Sequence, residues 1–270
     1  MKLNIRDATY HYEFLRPFDQ NKATLICLHG FTGTGATFHE SLKQVTQYNV
    51  LVVDLLGHGQ STVVIEAFRY QMVELCQDLA SLINFLVPGK KHLLGYSMGA
   101  RVALALAIIY PELMDTLILE SGSPGLAKPE ERLLRRQSDE QLAIYIQSHP
   151  LTDFVDKWEN IPLFASQKAL TPDVQARLRA ERLKQNKEGL AQSLKQMGTG
   201  SQPNYWQSLV EIRCPILYIA GELDSKFCAI SNRMKASHPC LKQEVISNVG
   251  HCVHLEAPNK FREVIIKWLE

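Results

Sequence analysis

Short, almost continuously apolar runs recur along the chain from residue 24 onward, and stretches with helical spacing separate them. Strands that are buried on both faces of a parallel sheet read as unbroken apolar runs. A helix is predicted over 68–86, where large apolar residues recur at helical spacing. Strand and helix alternating in this way predict a mostly parallel, doubly wound α/β sheet. The strand-like runs are 24–29, 50–55, 91–96, 116–121, 215–221 and 243–248.

The alternation stops in the segment 123–211, which has no good strand signal but several helix signals. Thr171-Pro172-Asp173, for example, combines an N-cap residue with proline at the first helical position. We therefore predict a helical cap over 123–211, inserted into a core that is formed by 1–122 and 212–270. The cap is expected to be an insertion between two strands and not an independent domain.

The composition excludes several function classes. The formal net charge is +1, so nothing indicates a nucleic-acid or anionic-membrane partner. The six cysteines contain no Cys-x-x-Cys pair, which argues against a disulfide framework, a zinc ribbon and a redox dithiol. The first residues lack the apolar region of a signal peptide, and the longest apolar run is too short to cross a bilayer. We expect a cytoplasmic protein, and the sequence does not set its oligomeric state.

The pentapeptide Gly95-Tyr96-Ser97-Met98-Gly99 follows a strand-like run and precedes a predicted helix that proline stops at position 111. This is the context of a Gly-x-Ser-x-Gly nucleophile elbow, in which small flanking residues let strand and helix approach closely. The alternative is a Gly-Ser turn that arises by chance.

A serine needs a base partner to become reactive. His251 follows the last strand-like run in a Gly-His turn, and Asp224 follows the preceding run. The order Ser97, Asp224, His251 is the one expected for this sheet, with the imidazole taking the serine proton and the carboxylate orienting the imidazole. The weaker candidates are the acids Glu222 and Asp54, of which Asp54 is expected to tie down its own loop, and His254, for which a surface or packing role is expected.

An oxyanion hole needs two N–H donors. Met98 N–H, directly after the serine, is one candidate, and Phe31 N–H in the Gly-rich loop after the first core strand is the other. The segment HGFTGTG lacks the spacing of a phosphate-binding loop. His251 with His254 has no third ligand cluster for zinc. We therefore expect no metal and no cofactor.

Taken together, LHGF, DLLGHGQS, GYSMGAR, GELDSKF and GHCVH resemble α/β-hydrolase fold proteins over nearly the whole chain. Within that fold the chain is most similar to the SHCHC synthases of menaquinone biosynthesis, the MenH family. The segments that carry this closer resemblance are GYSMGAR, LESGSPGL, EERLLRRQSDEQLA, DKWENIPLF and GELDSKF.

The resemblance implies a lyase that eliminates pyruvate from a 5-enolpyruvoyl precursor and leaves 2-succinyl-6-hydroxy-2,4-cyclohexadiene-1-carboxylate. It implies that the triad makes the serine a base and that the oxyanion hole holds an enolate-like oxygen. The alternative is a serine carboxylesterase or C–C bond hydrolase with the same triad. A third class, a catalytically silent binding protein, is disfavoured because a receptor needs no base.

Arginines support an anionic small-molecule substrate, because guanidinium binds carboxylates through two parallel hydrogen bonds. Arg101 lies one turn after Ser97, and Arg182 continues an apolar row of its helix at i+4 spacing. By resemblance, Arg101, Arg135 and Arg182 contact substrate carboxylates, and Tyr96 and Trp158 form walls of the pocket. For most of the six cap arginines, a solvated helix face is the alternative. They are Arg132, Arg135, Arg136, Arg177, Arg179 and Arg182.

Overall fold

The computed structural model describes all 270 residues and carries one eight-stranded sheet. Its strands are β1 Lys2–Ile5, β2 Ala8–Phe14, β3 Thr24–Leu28, β4 Asn49–Val53, β5 Lys91–Tyr96, β6 Thr116–Glu120, β7 Ile216–Gly221 and β8 Lys242–Ile246. They lie in the order β1-β2-β4-β3-β5-β6-β7-β8. Strands β3 to β8 run parallel to one another, whereas β2, near one edge, pairs antiparallel with both β1 and β4.

Each predicted strand-like run forms one of the strands β3 to β8, so the mostly parallel α/β architecture is confirmed. The edge hairpin of β1 and β2 was not predicted. Only some of its residues are buried, which breaks the continuous apolar signal that marks the inner strands. Its turn contains Arg6 at φ 52°. Tight hairpin turns with positive φ are usually recognised by a glycine or an asparagine, and this turn has arginine at that position.

Ten α-helices connect and cover the sheet. They are α1 His39–Leu42, α2 Met72–Leu86, α3 Met98–Ile109, α4 Pro129–Ser148, α5 Leu151–Trp158, α6 Pro172–Leu183, α7 Lys187–Met197, α8 Ser225–Ser237, α9 Val253–Glu256 and α10 Pro258–Leu269. Short 3-10 helices occupy Gly35–Phe38, Ala67–Tyr70, Pro162–Ala169 and Ser208–Glu211. None of these helices combines the length and the apolar character needed to cross a membrane.

The sheet separates two apolar cores. Helices α2 and α3 cover one face, while α1 and α10 cover the other. Strand β3 contributes to both, since Ile26 and Leu28 point into the first core and Leu25 and Cys27 into the second. This alternation, with every residue of β3 buried, is why the strand reads as continuously apolar.

The segment 123–211 contains α4 to α7 and no strand. It has a small apolar cluster of its own, which includes Phe154 of α5 and Leu190 of α7, and Phe31 of the core packs against that cluster. Helix α6 also fastens this segment to the core. The backbone N–H and the hydroxyl of Thr34 both donate to Glu181 Oε1, each at 2.7 Å.

Candidate active site

Ser97 occupies the sharp turn between β5 and α3. Its backbone has φ 49° and ψ −103°, a conformation that is costly for a residue with a side chain. The Ser97 N–H donates to the carbonyl of Glu120, at the end of β6, at 2.8 Å. A Cβ atom on Gly99 would collide with the carbonyl of Leu28, so glycine is needed for α3 to approach β3 this closely.

The structure brings Ser97, His251 and Asp224 together at the carboxyl-terminal edge of the parallel strands, where open α/β sheets bind ligands. His251 Nε2 lies 3.0 Å from Ser97 Oγ, and His251 Nδ1 lies 2.6 Å from Asp224 Oδ2. His251 and Asp224 are both buried. With the proton on Nδ1 donated to Asp224, Nε2 accepts from the serine hydroxyl, which is the arrangement needed to deprotonate Ser97. Asp224 is fixed in turn because its other oxygen caps α8 by accepting from Phe227 N–H at 3.3 Å.

The two predicted oxyanion donors come from different segments of the chain. Met98 is the first residue of α3, and Phe31 lies in the loop after β3, where Gly33 N–H donates to Gly30 O at 3.1 Å. Neither Phe31 N–H nor Met98 N–H donates to an acceptor of the protein. Both donors are therefore available to an oxygen of a bound substrate.

Buried polar groups brace the loop that carries Phe31. His29 Nδ1 donates to Gly30 O at 2.7 Å, and His29 Nε2 accepts from Leu55 N–H at 2.9 Å. Burial lowers the pKa of His29, in keeping with a neutral ring that donates at one nitrogen and accepts at the other. Asp54 accepts from Gln60 N–H at 3.0 Å, which confirms that it ties down its own loop, and it also accepts from Gly35 N–H at 2.8 Å, in the loop after β3.

A cavity of about 530 Å³ lies over Ser97 between the core and the segment 123–211. Predicted site residues in its wall are Phe31, Tyr96, Ser97, Met98, Arg101, Arg135, Trp158 and His251. A second cleft, of about 640 Å³, is lined by residues such as Thr34 and Asp54 and contains no triad residue. The cavity over Ser97 is therefore the candidate active site.

Aromatic rings shape the cavity beside the triad. The Tyr96 ring stands against Gly30, where a Cβ atom would lie only 2.7 Å from it, and burial raises the pKa of Tyr96. The Trp158 ring packs edge-on against Phe31 at 5.4 Å and Phe164 at 5.6 Å between centroids. Through these contacts Trp158 packs the loop that carries Phe31 against the segment 123–211.

Arg101 extends from α3 into the same cavity. Its Nη1 donates to Met197 O at 2.6 Å and to Gln202 Oε1 at 2.7 Å, both in the cap. No carboxylate lies within salt-bridge distance of its guanidinium. Desolvation by burial lowers the pKa of Arg101 to about 10, so the group still carries its charge at neutral pH.

Arg135 also lines the cavity, and its Nε donates to Asp139 Oδ1 at 2.8 Å. Its neighbours point elsewhere, because Arg132 and Arg136 donate to the carbonyl of Gly200 at 3.4 and 3.2 Å. The α4 arginines thus divide between the cavity and a polar turn of the cap.

Arg182 does not line the cavity over Ser97. It is buried, as the i+4 spacing predicts, but its guanidinium lies 3.3 Å from Glu159 Oε1 and donates to Gln167 Oε1 at 3.0 Å. It reaches the triad only indirectly, by standing 5.3 Å from the ring of Phe164, which itself faces His251.

Several cavity residues were not found from the sequence. Lys226 follows Asp224 by two positions, so its place in the wall follows from that of the aspartate. The Arg233 guanidinium carbon lies over the Trp206 ring, 3.7 Å from its centroid, and Lys128 directly precedes α4. The last two have no local signal in the sequence.

Comparisons with known proteins agree with this geometry. Residues 23–258 match the family model of the alpha/beta hydrolase fold. A Bacillus subtilis protein provisionally named 2-succinyl-6-hydroxy-2,4-cyclohexadiene-1-carboxylate synthase is 41% identical over 245 residues, which are 91% of this chain and 89% of that one. An Escherichia coli protein named as the synthase is 35% identical over 237 residues, 87% of this chain and 88% of that one.

Solved structures show the same likeness. The structure of MenH from S. aureus has a TM-score of 0.86 and 34% identity, covering 96% of this chain and 97% of that chain. A thermophilic esterase from Thermogutta terrifontis has a TM-score of 0.82 and 25% identity, covering 100% and 97%. On these matches the chain belongs to the α/β-hydrolase fold family and, within it, to the family of 2-succinyl-6-hydroxy-2,4-cyclohexadiene-1-carboxylate synthases, the MenH family.

Proposed function

We propose that this protein is a 2-succinyl-6-hydroxy-2,4-cyclohexadiene-1-carboxylate synthase of menaquinone biosynthesis, a cytoplasmic lyase that releases pyruvate from a 5-enolpyruvoyl precursor without a cofactor. The observation that carries the proposal is Arg101. A charged guanidinium in a cavity wall, beside the reactive serine and without a salt bridge of its own, matches a substrate that brings carboxylates, because the nearby Asp139 carboxylate is already paired with Arg135. A hydrolase that acts on neutral esters does not require a positive charge at this position.

The geometry supports a base role for Ser97. His251 accepts the hydroxyl proton, and Asp224 stabilises the imidazolium that forms. Ser97 Oγ then takes a carbon-bound proton next to a substrate carbonyl. The negative charge that develops on the carbonyl oxygen is held by the N–H groups of Phe31 and Met98. As the electrons return, the C–O bond to the enolpyruvoyl group breaks, and this group leaves as the enolate of pyruvate, which takes up the proton held by His251 and so restores the triad.

The substrate carries a succinyl carboxylate, a ring carboxylate and the enolpyruvoyl carboxylate. Arg101 and Arg135 face the cavity and are our candidates for two of these groups. Tyr96 and Trp158 supply apolar walls for the ring. The Arg182 guanidinium is paired with Glu159 and lies outside the cavity wall. To bind a substrate carboxylate, it would have to leave Glu159 and turn into the cavity.

Pyruvate release from the enolpyruvoyl precursor by the purified protein tests the proposal, with Ser97→Ala as the blank. Hydrolysis of p-nitrophenyl acetate is measured beside it, because the same triad and donors also suit a serine carboxylesterase or a C–C bond hydrolase. We expect Ser97-dependent pyruvate release and slow ester cleavage. Rapid ester cleavage without pyruvate would overturn the synthase and establish the alternative.

A further inference from the structure

A second set of hydrogen-bonded side chains lies behind the triad, and the proposed mechanism does not use it. The Glu120 carboxylate accepts from His254 Nδ1 at 2.8 and 3.0 Å and from the His254 backbone N–H at 3.0 Å. With the proton on Nδ1, His254 Nε2 accepts from the Thr37 hydroxyl at 2.8 Å. We call Thr37, His254 and Glu120 the buried relay.

The relay is placed where a charged group is costly. Glu120 and His254 are each 0% exposed, and a carboxylate in such a place destabilises the protein unless hydrogen bonds compensate it. The ring of His254 packs between Phe38, at 4.7 Å, and Tyr96, at 4.8 Å, between centroids. Apolar residues of the same volume would fill this space without that cost, so the relay calls for an explanation beyond packing.

The relay joins the three loops that carry the reaction. Glu120 ends β6, and its carbonyl accepts the Ser97 N–H at 2.8 Å, so it holds the serine turn. His254 lies three residues after His251 in the segment that follows β8. Thr37 belongs to the 3-10 helix that follows the loop of Phe31.

Other contacts of the His251 segment do not make this connection. Gly250 N–H and Cys252 N–H donate to the carboxylate of Glu256, at 2.7 and 3.3 Å, which closes the segment on itself. Glu120 instead ties the segment to the strand that holds Ser97. Cys252 Sγ also lies 3.6 Å from His254, but both ring nitrogens of His254 are already engaged by Glu120 and Thr37, so we assign no metal to this group.

We propose that Glu120 and His254 are positioning residues of the reaction. They hold His251 and the loop of Phe31 at the places from which the first accepts the Ser97 proton and the second binds the developing oxyanion. This inference rests on the proposed function only for the identity of the substrate, because it concerns the reactivity of Ser97 itself.

The test therefore uses two readouts. Pyruvate release gives kcat and KM for the proposed reaction. Modification by phenylmethylsulfonyl fluoride, in which Ser97 Oγ displaces fluoride, reports the nucleophilicity of Ser97 without the substrate. The variants are Glu120→Gln, His254→Asn and their combination. The matched control is His92→Gln, which removes a buried histidine–threonine hydrogen bond of 2.8 Å at the opposite end of β5.

For each single relay variant we expect kcat and the rate of Ser97 modification to fall together by about 10- to 100-fold, since a displacement near 1 Å can cost this much, with KM within twofold. The double variant should lose no more than the worse single variant, because both act through one set of contacts. His92→Gln should leave both readouts within twofold.

The inference is overturned if folded relay variants keep kcat and the modification rate within twofold of the unaltered protein, since the relay would then serve stability alone. A rise in KM without a fall in kcat would also overturn it and make these residues substrate contacts. If the unaltered protein releases no pyruvate but the relay variants still slow Ser97 modification, the proposed function fails while the positioning role stands.

Thr37→Val decides the question if the buried variants do not fold. Thr37 is only half-buried, and valine keeps the shape of the side chain while it removes the bond to His254. We expect Ser97 modification and kcat to fall by the same factor, about three- to tenfold, as for the loss of one neutral hydrogen bond of ~1 kcal/mol. An unchanged modification rate would count against the relay.

Discussion

Replacing Arg101 by methionine, which has similar reach but no charge, tests the recognition of an anionic substrate. The guanidinium makes no salt bridge, since the nearby Asp139 is paired with Arg135, so the Arg101 charge is available to a carboxylate of the ligand. Losing one partner of a buried, hydrogen-bonded charge pair typically costs ~2–5 kcal/mol, which is a fall of ~30- to several thousand-fold in kcat/KM. The carbonyl of Met197 and the amide oxygen of Gln202 lose their donor as well. We expect that loss to lower the free energy of unfolding by ~1–3 kcal/mol.

Pyruvate release measures kcat/KM, urea unfolding measures the stability change, and Ser97 modification by the neutral sulfonyl fluoride shows whether the triad is intact. Arg177→Met is the matched control, because Arg177 is an exposed arginine of α6 outside the cavity. We expect Arg101→Met to lose pyruvate release and keep most of its Ser97 modification, whereas the control keeps both. A loss of less than about threefold in kcat/KM, or an equal loss of both readouts, would refute the assignment of Arg101 to a substrate carboxylate.

Three further variants test other parts of the structure. Ser97→Ala should lower pyruvate release by about a thousandfold or more while the protein remains folded, which circular dichroism and the assay check together. His58 is buried, and burial followed by the nearby His29 lowers its pKa to about 3, so the folded protein keeps it neutral while the unfolded chain binds a proton below about pH 6.5. The contribution of neutral His58 to the free energy of unfolding is therefore complete above pH 6.5 and is lost as the pH falls toward 3, by up to ~1.4 kcal/mol per pH unit. In urea unfolding, the free energy of unfolding of His58→Gln should fall less steeply over this pH range. An unchanged dependence on pH would contradict this origin. Glu181→Ala removes the acceptor of the Thr34 N–H, so that amide should exchange with deuterium faster while amides of β3 do not, and equal protection in both proteins would show that the contact does not hold the loop.

The parallel strands and the triad order could be predicted from the sequence because both depend on local signals. A strand buried on both faces must be apolar throughout, and a serine in a strand–turn–helix frame needs glycines beside it. The buried relay could not be predicted. Glu120 and His254 are 134 positions apart, and neither residue has a neighbour in sequence that reveals the other. His254 proves to be fully buried, so of the two roles expected for it the surface role is wrong.

Helix α4 shows that the spacing of apolar residues does not predict which face of a helix is buried when the surface it packs on is polar. On α4 the arginines and the leucines lie on different sides, and the usual rule would turn Leu133 and Leu134 inward. Both leucines are exposed, at 51% and 66%. Arg132 and Arg136 instead donate to the carbonyl of Gly200, in the turn that α4 meets, although Arg136 itself stays exposed. A polar surface of this kind leaves no pattern in the sequence of the helix that packs on it.

The backbone conformation of Ser97 makes stability and activity favour different residues at this position. Every folded molecule holds this residue at φ 49°, where a side chain costs on the order of 1–3 kcal/mol and glycine costs little. Selection for thermal resistance alone would therefore favour glycine at position 97, with the surrounding structure already suited to it. The serine persists only under selection for the reaction, so a lineage that stopped making the product would be expected to lose this residue early and gain stability as it did.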